Sequence, residues 1–249
     1  MIASGRKLIT ATWDDAPHLS KEVKDAMYAA LPPHQRDARS KGVPSLGAGA
    51  IYPVPESEVV VAPFELPPWY EVCAGFDVGW NWTAAVWIAT DPNTRQSYLF
   101  DTYKAGQREP SVHAAAVRAR GTWIPIAIDP ASRGRGQRDG EQLFQDYVDL
   151  GLDLVKAANA REAGLYKVWQ LLSTGRLKVF KNCADWFEEF RLYRRDDKGE
   201  IVKENDHLMD ATRYATMTGM DNAIPKPTDD DDWQEAGVKK MSGNAVTGY

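Results

Sequence analysis

A mixed sheet of α/β class, covered by helices on both faces, is the fold that this sequence predicts, on three observations. Three strand-like runs follow one another across short, turn-rich gaps, which only antiparallel hairpins span. Strand and helix signals then alternate, the pattern of parallel pairing through helical crossovers. Finally, 43% of the 249 residues are hydrophobic, enough for one sizeable core.

The first three strands are predicted at Tyr70–Val78, Thr83–Thr90 and Tyr98–Tyr103, separated by Gly79-Trp80-Asn81 and Asp91-Pro92-Asn93. A helix over about Glu109–Arg120 has Pro110 in its first turn, where a missing N–H costs nothing. The apolar run Trp123–Ile128 makes a fourth strand, closed by Asp129-Pro130. The Gly- and Arg-rich loop Ser132–Gly140 leads into a helix near Glu141–Leu150. Strands at Leu152–Val155 and Leu177–Phe180 alternate with helices at Glu162–Leu172 and Ala184–Tyr193. The run Arg194–Val202 reads as a hairpin turning at Asp197-Lys198-Gly199. A last helix spans about Asp206–Met220.

Outside this block the chain changes character. Residues 1–70 carry many prolines and one expected helix, Ser20–Leu31, with Ser20 as N-cap and Glu22 in the first turn. They read as an arm, 71–221 as the domain, and 222–249 as a mobile acidic tail. Net charge is −5, but Asp229, Asp230, Asp231 and Asp232 stand together in the tail, so the remainder is nearly neutral. That argues against indiscriminate coating of nucleic acid and leaves room for a locally cationic groove. No apolar run is long enough for a membrane span, no secretory leader opens the chain, and Cys73 and Cys183 cannot make a disulfide framework. The expectation is a soluble intracellular protein.

Chemistry is expected at two strand ends. Asp77 closes the first strand in Gly75-Phe76-Asp77-Val78-Gly79, and Asp129 closes the fourth after the apolar Ile126-Ala127-Ile128. Ligands in open α/β sheets collect at the carboxyl ends of strands. If these two strands are parallel neighbours, their ends lie about 5 Å apart. Carboxylates that close repel, and a divalent cation removes the penalty. In Asn205-Asp206-His207-Leu208-Met209-Asp210, the helical period puts His207 and Asp210 on one face at the edge of the buried stripe. Asp206 reads first as an N-cap and second as a further ligand. An oxygen-rich set with one imidazole suits Mg²⁺ or Mn²⁺ better than zinc. Two such ions can activate water and stabilise the leaving oxygen of a phosphodiester. Arg133, Arg135 and Arg138 after Asp129, and Arg194, Arg195 and Lys198 before the last helix, are candidates for holding DNA phosphates.

The runs Phe76-Asp77-Val78-Gly79-Trp80, Ile128-Asp129-Pro130-Ala131 and Lys198 through Tyr214 together resemble the nuclease domain of tailed-bacteriophage terminase large subunits. The arm adds Thr12-Trp13-Asp14-Asp15-Ala16-Pro17-His18-Leu19-Ser20 and Gly47-Ala48-Gly49-Ala50-Ile51-Tyr52-Pro53, similar to the segment joining motor to nuclease. The resemblance implies an RNase H-like fold that cuts concatemeric viral DNA during packaging. Its metal positions fall on Asp77, Asp129 and Asp210, with His207 as a ligand or close neighbour. It also implies double-stranded viral DNA, a portal protein and a small terminase subunit as partners, in the host cytoplasm, with no membrane. The family's motor needs a phosphate loop ending in Gly-Lys-Ser/Thr, which this sequence lacks, so no ATP site is expected. Three rivals stand beside it. An actin-like or sugar-kinase ATPase would use Asp77, Gly79 and Thr83; the others are a non-catalytic DNA-binding assembly module and another metal nuclease of the same fold.

Overall fold

The computed structural model describes residues 12–30, 40, 49–129, 137–158, 160–196 and 199–227, with backbone alone for 137–141. Within them the elements are helix α1 (Lys21–Ala30), α2 (Glu56–Val59), strands β1 (Val60–Val61), β2 (Glu71–Asp77), β3 (Thr83–Thr90) and β4 (Ser97–Ala105). They continue with α3 (Pro110–Arg118), β5 (Ile126–Ile128), α4 (Gln137–Asp149), β6 (Leu154–Lys156), α5 (Arg161–Ser173), β7 (Leu177–Phe180), α6 (Ala184–Leu192) and α7 (His207–Met217).

Seven strands form one sheet in the order β1-β7-β4-β3-β2-β5-β6. β2, β3 and β4 are antiparallel neighbours, and every other pairing is parallel. The short connections do what their residues allow. Asp91 accepts hydrogen bonds from the Asn93 amide (2.9 Å) and the Thr94 hydroxyl (2.8 Å), an Asx turn that reverses the chain between β3 and β4. Side chains then alternate across the sheet with period two. On β3, Ala84, Val86 and Ile88 join Leu165, Val168, Trp186, Phe190, Leu208 and Ala215 from α5, α6 and α7. Ala85, Trp87 and Ala89 face the other way, against Ala114, Val117 and Tyr147 of α3 and α4. Both faces are therefore buried, as expected of the mixed sheet.

Three local expectations need revision. The fourth strand is shorter than its apolar run, starting at Ile126, because Pro125 has no N–H for the ladder, although its carbonyl accepts from Ala74 at 2.9 Å. The last helix begins at His207, and the carboxylate of Asp206 makes no capping bond. Residues grouped with the arm also enter the fold. Tyr52, Val54 and Val59 are core residues, β1 pairs with β7 at Val60↔Val179, and Arg191 holds Glu56 through two 2.7 Å bonds. Farther out, α1 buries no residue, and Ser20 accepts from the Val23 amide at 3.4 Å, as an N-cap should. At the other end Ile224 bridges to Val72, so the chain is still on the sheet there, and residues 228–249 lie outside the described residues.

One contact fixes the position of α7. A Cβ placed on Gly75 of β2 would lie 2.0 Å from the Ala211 carbonyl oxygen and 2.7 Å from the Ala215 amide nitrogen. Both obstacles are backbone, so neither can rotate away. Gly75→Ala is expected to destabilise the protein by about 3 kcal/mol or more and to displace the helix that carries His207 and Asp210. Urea unfolding of the variant checks the first effect.

Candidate metal centre

Phe76 of β2 stands opposite Ile128 of β5 in parallel register, so the next residues, Asp77 and Asp129, leave the same edge of the sheet side by side. The Asp129 amide still donates to the Phe76 carbonyl at 3.1 Å. The strand-end juxtaposition read from the sequence is present. The side chain of Asp77 is 14% exposed. Burial pushes its carboxyl up to about 6, the charges of Asp210 and Asp129 push in the same direction, and a hydrogen bond from His207 opposes them. That bond joins His207 Nδ1 to Asp77 Oδ2 at 2.9 Å, and it raises the imidazole pKa.

The helix that brings His207 and Asp210 here is capped from outside. Oδ1 and Oδ2 of Asp206 leave its N-terminus unserved, and Glu189 of α6 supplies the acceptor. Glu189 Oε2 takes the Leu208 amide at 2.6 Å and the Met209 amide at 3.4 Å, while Oε1 pairs with Lys104 at 2.6 Å. Glu189 is 2% exposed. A carboxylate at a helix N-terminus meets both the orphan amides and the positive end of the dipole. A second tie runs from the Trp186 indole to the Thr212 hydroxyl, 2.9 Å.

Asp210 is buried and carries its own counter-charge. Arg213 Nε donates to Oδ1 at 3.2 Å, and Arg161 Nη2 lies 3.9 Å from Oδ2, too long for a hydrogen bond. Around it stand the phenols of Tyr52, Tyr193 and Tyr214, all held protonated by burial and by the nearby Asp210 charge. Asp206 is buried too, 3.9 Å from Lys203, and burial with the Asp210 charge raises its carboxyl pKa.

The donor set has the chemistry of a hard-cation site: carboxylate oxygens from two adjoining strands and a helix, one imidazole, and a desolvated Asp77 whose ionised form is disfavoured as it stands. The geometry is that of an Asp77–His207 pair with Asp129 and Asp210 close enough to perturb it. Among the described residues no three His, Cys, Asp or Glu side chains are gathered around one point. The residues fit a divalent metal by donor type, in an open arrangement and not a closed cage.

The cationic candidates scatter. Arg195 is engaged by Glu162 at 2.6 Å and by the Gly199 carbonyl at 2.9 Å, beside the shallow cavity of Ile51 and Trp169. Arg194 makes an isolated backbone bridge to Ala50 in the same region, next to the bridge of Arg195 with Ile201. Arg133, Arg135 and Lys198 lie outside the described residues, as does the side chain of Arg138. Thr83, which an ATPase reading would put on phosphate, is 1% exposed and gives its hydroxyl to the Gly79 carbonyl at 2.9 Å. Sequence reasoning missed Glu189, Lys104, Arg161 and Arg213. The helical spacing of Asp210 and Arg213 was the one readable signal among them.

Comparison with known proteins agrees with this fold. The model of the terminase RNaseH-like domain matches residues 74–218. The large terminase subunit of Enterobacteria phage LP7 is 34% identical over 223 residues, covering 86% of this chain and 47% of its own length. The chain spans about half the length of the curated relatives it matches. Among solved structures, the P22 large terminase nuclease domain is 34% identical with a TM-score of 0.67, covering 72% of this chain and 96% of the other. The large terminase nuclease of thermophilic phage G20c with bound magnesium shares the fold at 17% identity and a TM-score of 0.51, covering 69% and 98% of the two chains. The chain belongs to the terminase RNaseH-like domain family.

Proposed function

We propose that this chain is a divalent-metal-dependent endodeoxyribonuclease that cuts concatemeric viral DNA during genome packaging. Asp77, Asp129 and Asp210 would hold the metal, with His207 alongside, and Mg²⁺ or Mn²⁺ would be bound, as two ions in the loaded site. The observation that carries the reading is the parallel register of β2 and β5, which sets Asp77 beside Asp129, with Asp77 desolvated and repelled by its neighbours. Bound there, the cations would lower the pKa of the attacking water and neutralise charge on the phosphodiester oxygens.

The chain's own residues do the rest. Burial of Asp77 keeps bulk water from competing for its oxygens, and His207 fixes the orientation of Oδ2. Arg213 orients Asp210 through Oδ1, and Glu189 pins the first turn of α7 so that both side chains face the strand ends. The 17%-identical G20c nuclease with bound magnesium makes the same cation class reasonable here. Double-stranded viral DNA would be the substrate, the portal protein and small terminase subunit the partners, and the host cytoplasm the setting.

Incubation with supercoiled plasmid tests this. Nicked and linear products are expected with Mn²⁺ or Mg²⁺ and none in EDTA, without release of phosphate from ATP. Cleavage that persists in EDTA overturns the metal site, and ATP hydrolysis by the chain favours the kinase-like rival.

A further inference from the structure

The surface beside His207 carries features that the acidic site does not use. A cleft of about 920 Å³ adjoins that histidine, lined among others by Asn81, Trp82, Arg108, Lys203 and Glu204. Two large aromatics stand on the turn at its rim: Trp80 is 65% exposed and Trp82 45%. An apolar ring costs free energy when left in water, and neither belongs to the hydrophobic core.

The turn that carries them is built to hold still. The Gln107 amide donates to the Trp80 carbonyl at 2.9 Å, and the Thr83 hydroxyl to the Gly79 carbonyl at 2.9 Å. Opposite it, a Cβ on Gly106 would lie 2.1 Å from the Asn81 carbonyl oxygen, so the two loops touch backbone to backbone. Lys104 Nζ sits 4.9 Å from the centre of the Trp82 ring and is anchored in turn by Glu189. The indole is therefore preset by a cation–π contact and still nearly half exposed. Arg108 and Lys203 are exposed on the same cleft, and they outnumber Glu204.

A preset aromatic face beside cations matches one ligand chemistry, the unpaired nucleotide: a base stacks on the ring and phosphates meet the side-chain charges. Duplex DNA hides its base faces in the stack and offers phosphates, sugars and base edges, with no face for a ring to stack on. Resting on the nuclease reading for its connection to the cutting site, we infer that this cleft binds single-stranded DNA, a locally opened strand of the substrate next to the scissile phosphate, with Trp82 as the stacking platform and Arg108 and Lys203 on the backbone.

Fluorescence anisotropy with a labelled dT12 oligonucleotide and a mixed-sequence 12-base-pair duplex, both in EDTA, tests it. Trp82→Ala should weaken dT12 binding about five- to a hundredfold and change duplex affinity less than twofold. Arg108→Ala and Lys203→Ala should each flatten the slope of log affinity for dT12 against log salt by about 0.7. Trp82→Ala losing single strand and duplex equally, or losing neither, overturns the proposal. So does an unchanged salt slope in Arg108→Ala, a surface variant that stands in should Trp82→Ala fail to fold. Because binding is read without metal, the outcome is independent of the acidic site. A parent protein that never cuts plasmid with Mn²⁺ or Mg²⁺ would defeat the nuclease reading and leave the cleft's ligand intact.

Discussion

Asp77→Asn is expected to reduce DNA cleavage by about a hundred- to a thousandfold or more while leaving the protein at least as stable as its parent. The loss follows from removing one of the two adjacent strand-end carboxylates. The stability follows from the state of that carboxyl. Its pKa in the fold is raised from 3.8 to about 6, first by burial and then by Asp210 and Asp129. A native state that holds the proton more tightly than the unfolded chain loses stability as pH rises from about 4 to about 6, and stays penalised above that. The net shift, which already includes the opposing bond from His207, corresponds to on the order of 3 kcal/mol at pH 8, and an amide can also accept that bond. His207 has the opposite sign: its raised pKa stabilises the fold at low pH, and that support is lost as pH rises through the folded value. In EDTA at pH 8 the variant should therefore melt at the same temperature or a few degrees higher, and the gain should fall to roughly half near pH 5. Thermal melts at the two pH values check this. A large loss of stability at pH 8 would mean that Asp77 is a structural ion-pair member and not a strained ligand.

Glu189→Ala is the substitution expected to cost most in stability. It would leave Lys104, only 14% exposed, without its 2.6 Å partner and would strip the amides of Leu208 and Met209 of their acceptor. Breaking one side of a buried ion pair costs about 3–5 kcal/mol, and unserved helix amides add to it. Glu189→Gln should lose less, since its amide oxygen can still cap the helix. Urea denaturation ranks the three proteins. Cleavage should fall in the same order, because the cap sets where α7 begins and hence where His207 and Asp210 point. Activity retained in Glu189→Ala would separate the cap from the site.

What could be read from the sequence follows the period of each segment. β3 and β7 were readable to the residue because apolar runs end in polar or turn residues on both sides. Asp77 and Asp129 stood out for the same reason, each closing an apolar strand. β1 was unreadable: three valines between Pro55 and Pro63 have no periodicity, and only the pairing of Val60 and Val61 with Val179 and Phe180 makes a strand. Asp206 holds the N-cap position as read, but the side-chain acceptor comes from α6, which local spacing cannot reveal. Glu189 itself lies in a helix with Asp185, Glu188 and Arg191 and reads as one more solvated charge until the fold buries it. The pairing of Arg195 was hidden on similar grounds, because its partner Glu162 is distant in sequence.

The central claim, that Asp77 and Asp129 share a hard divalent cation, is tested most directly by anomalous diffraction from a crystal soaked in Mn²⁺. A peak bridging the two carboxylates at about 2.0–2.2 Å from their oxygens is expected, with Asp210 or His207 drawn toward it. An empty map at that edge of the sheet, with manganese bound elsewhere and Asp77 still paired to His207, would contradict it.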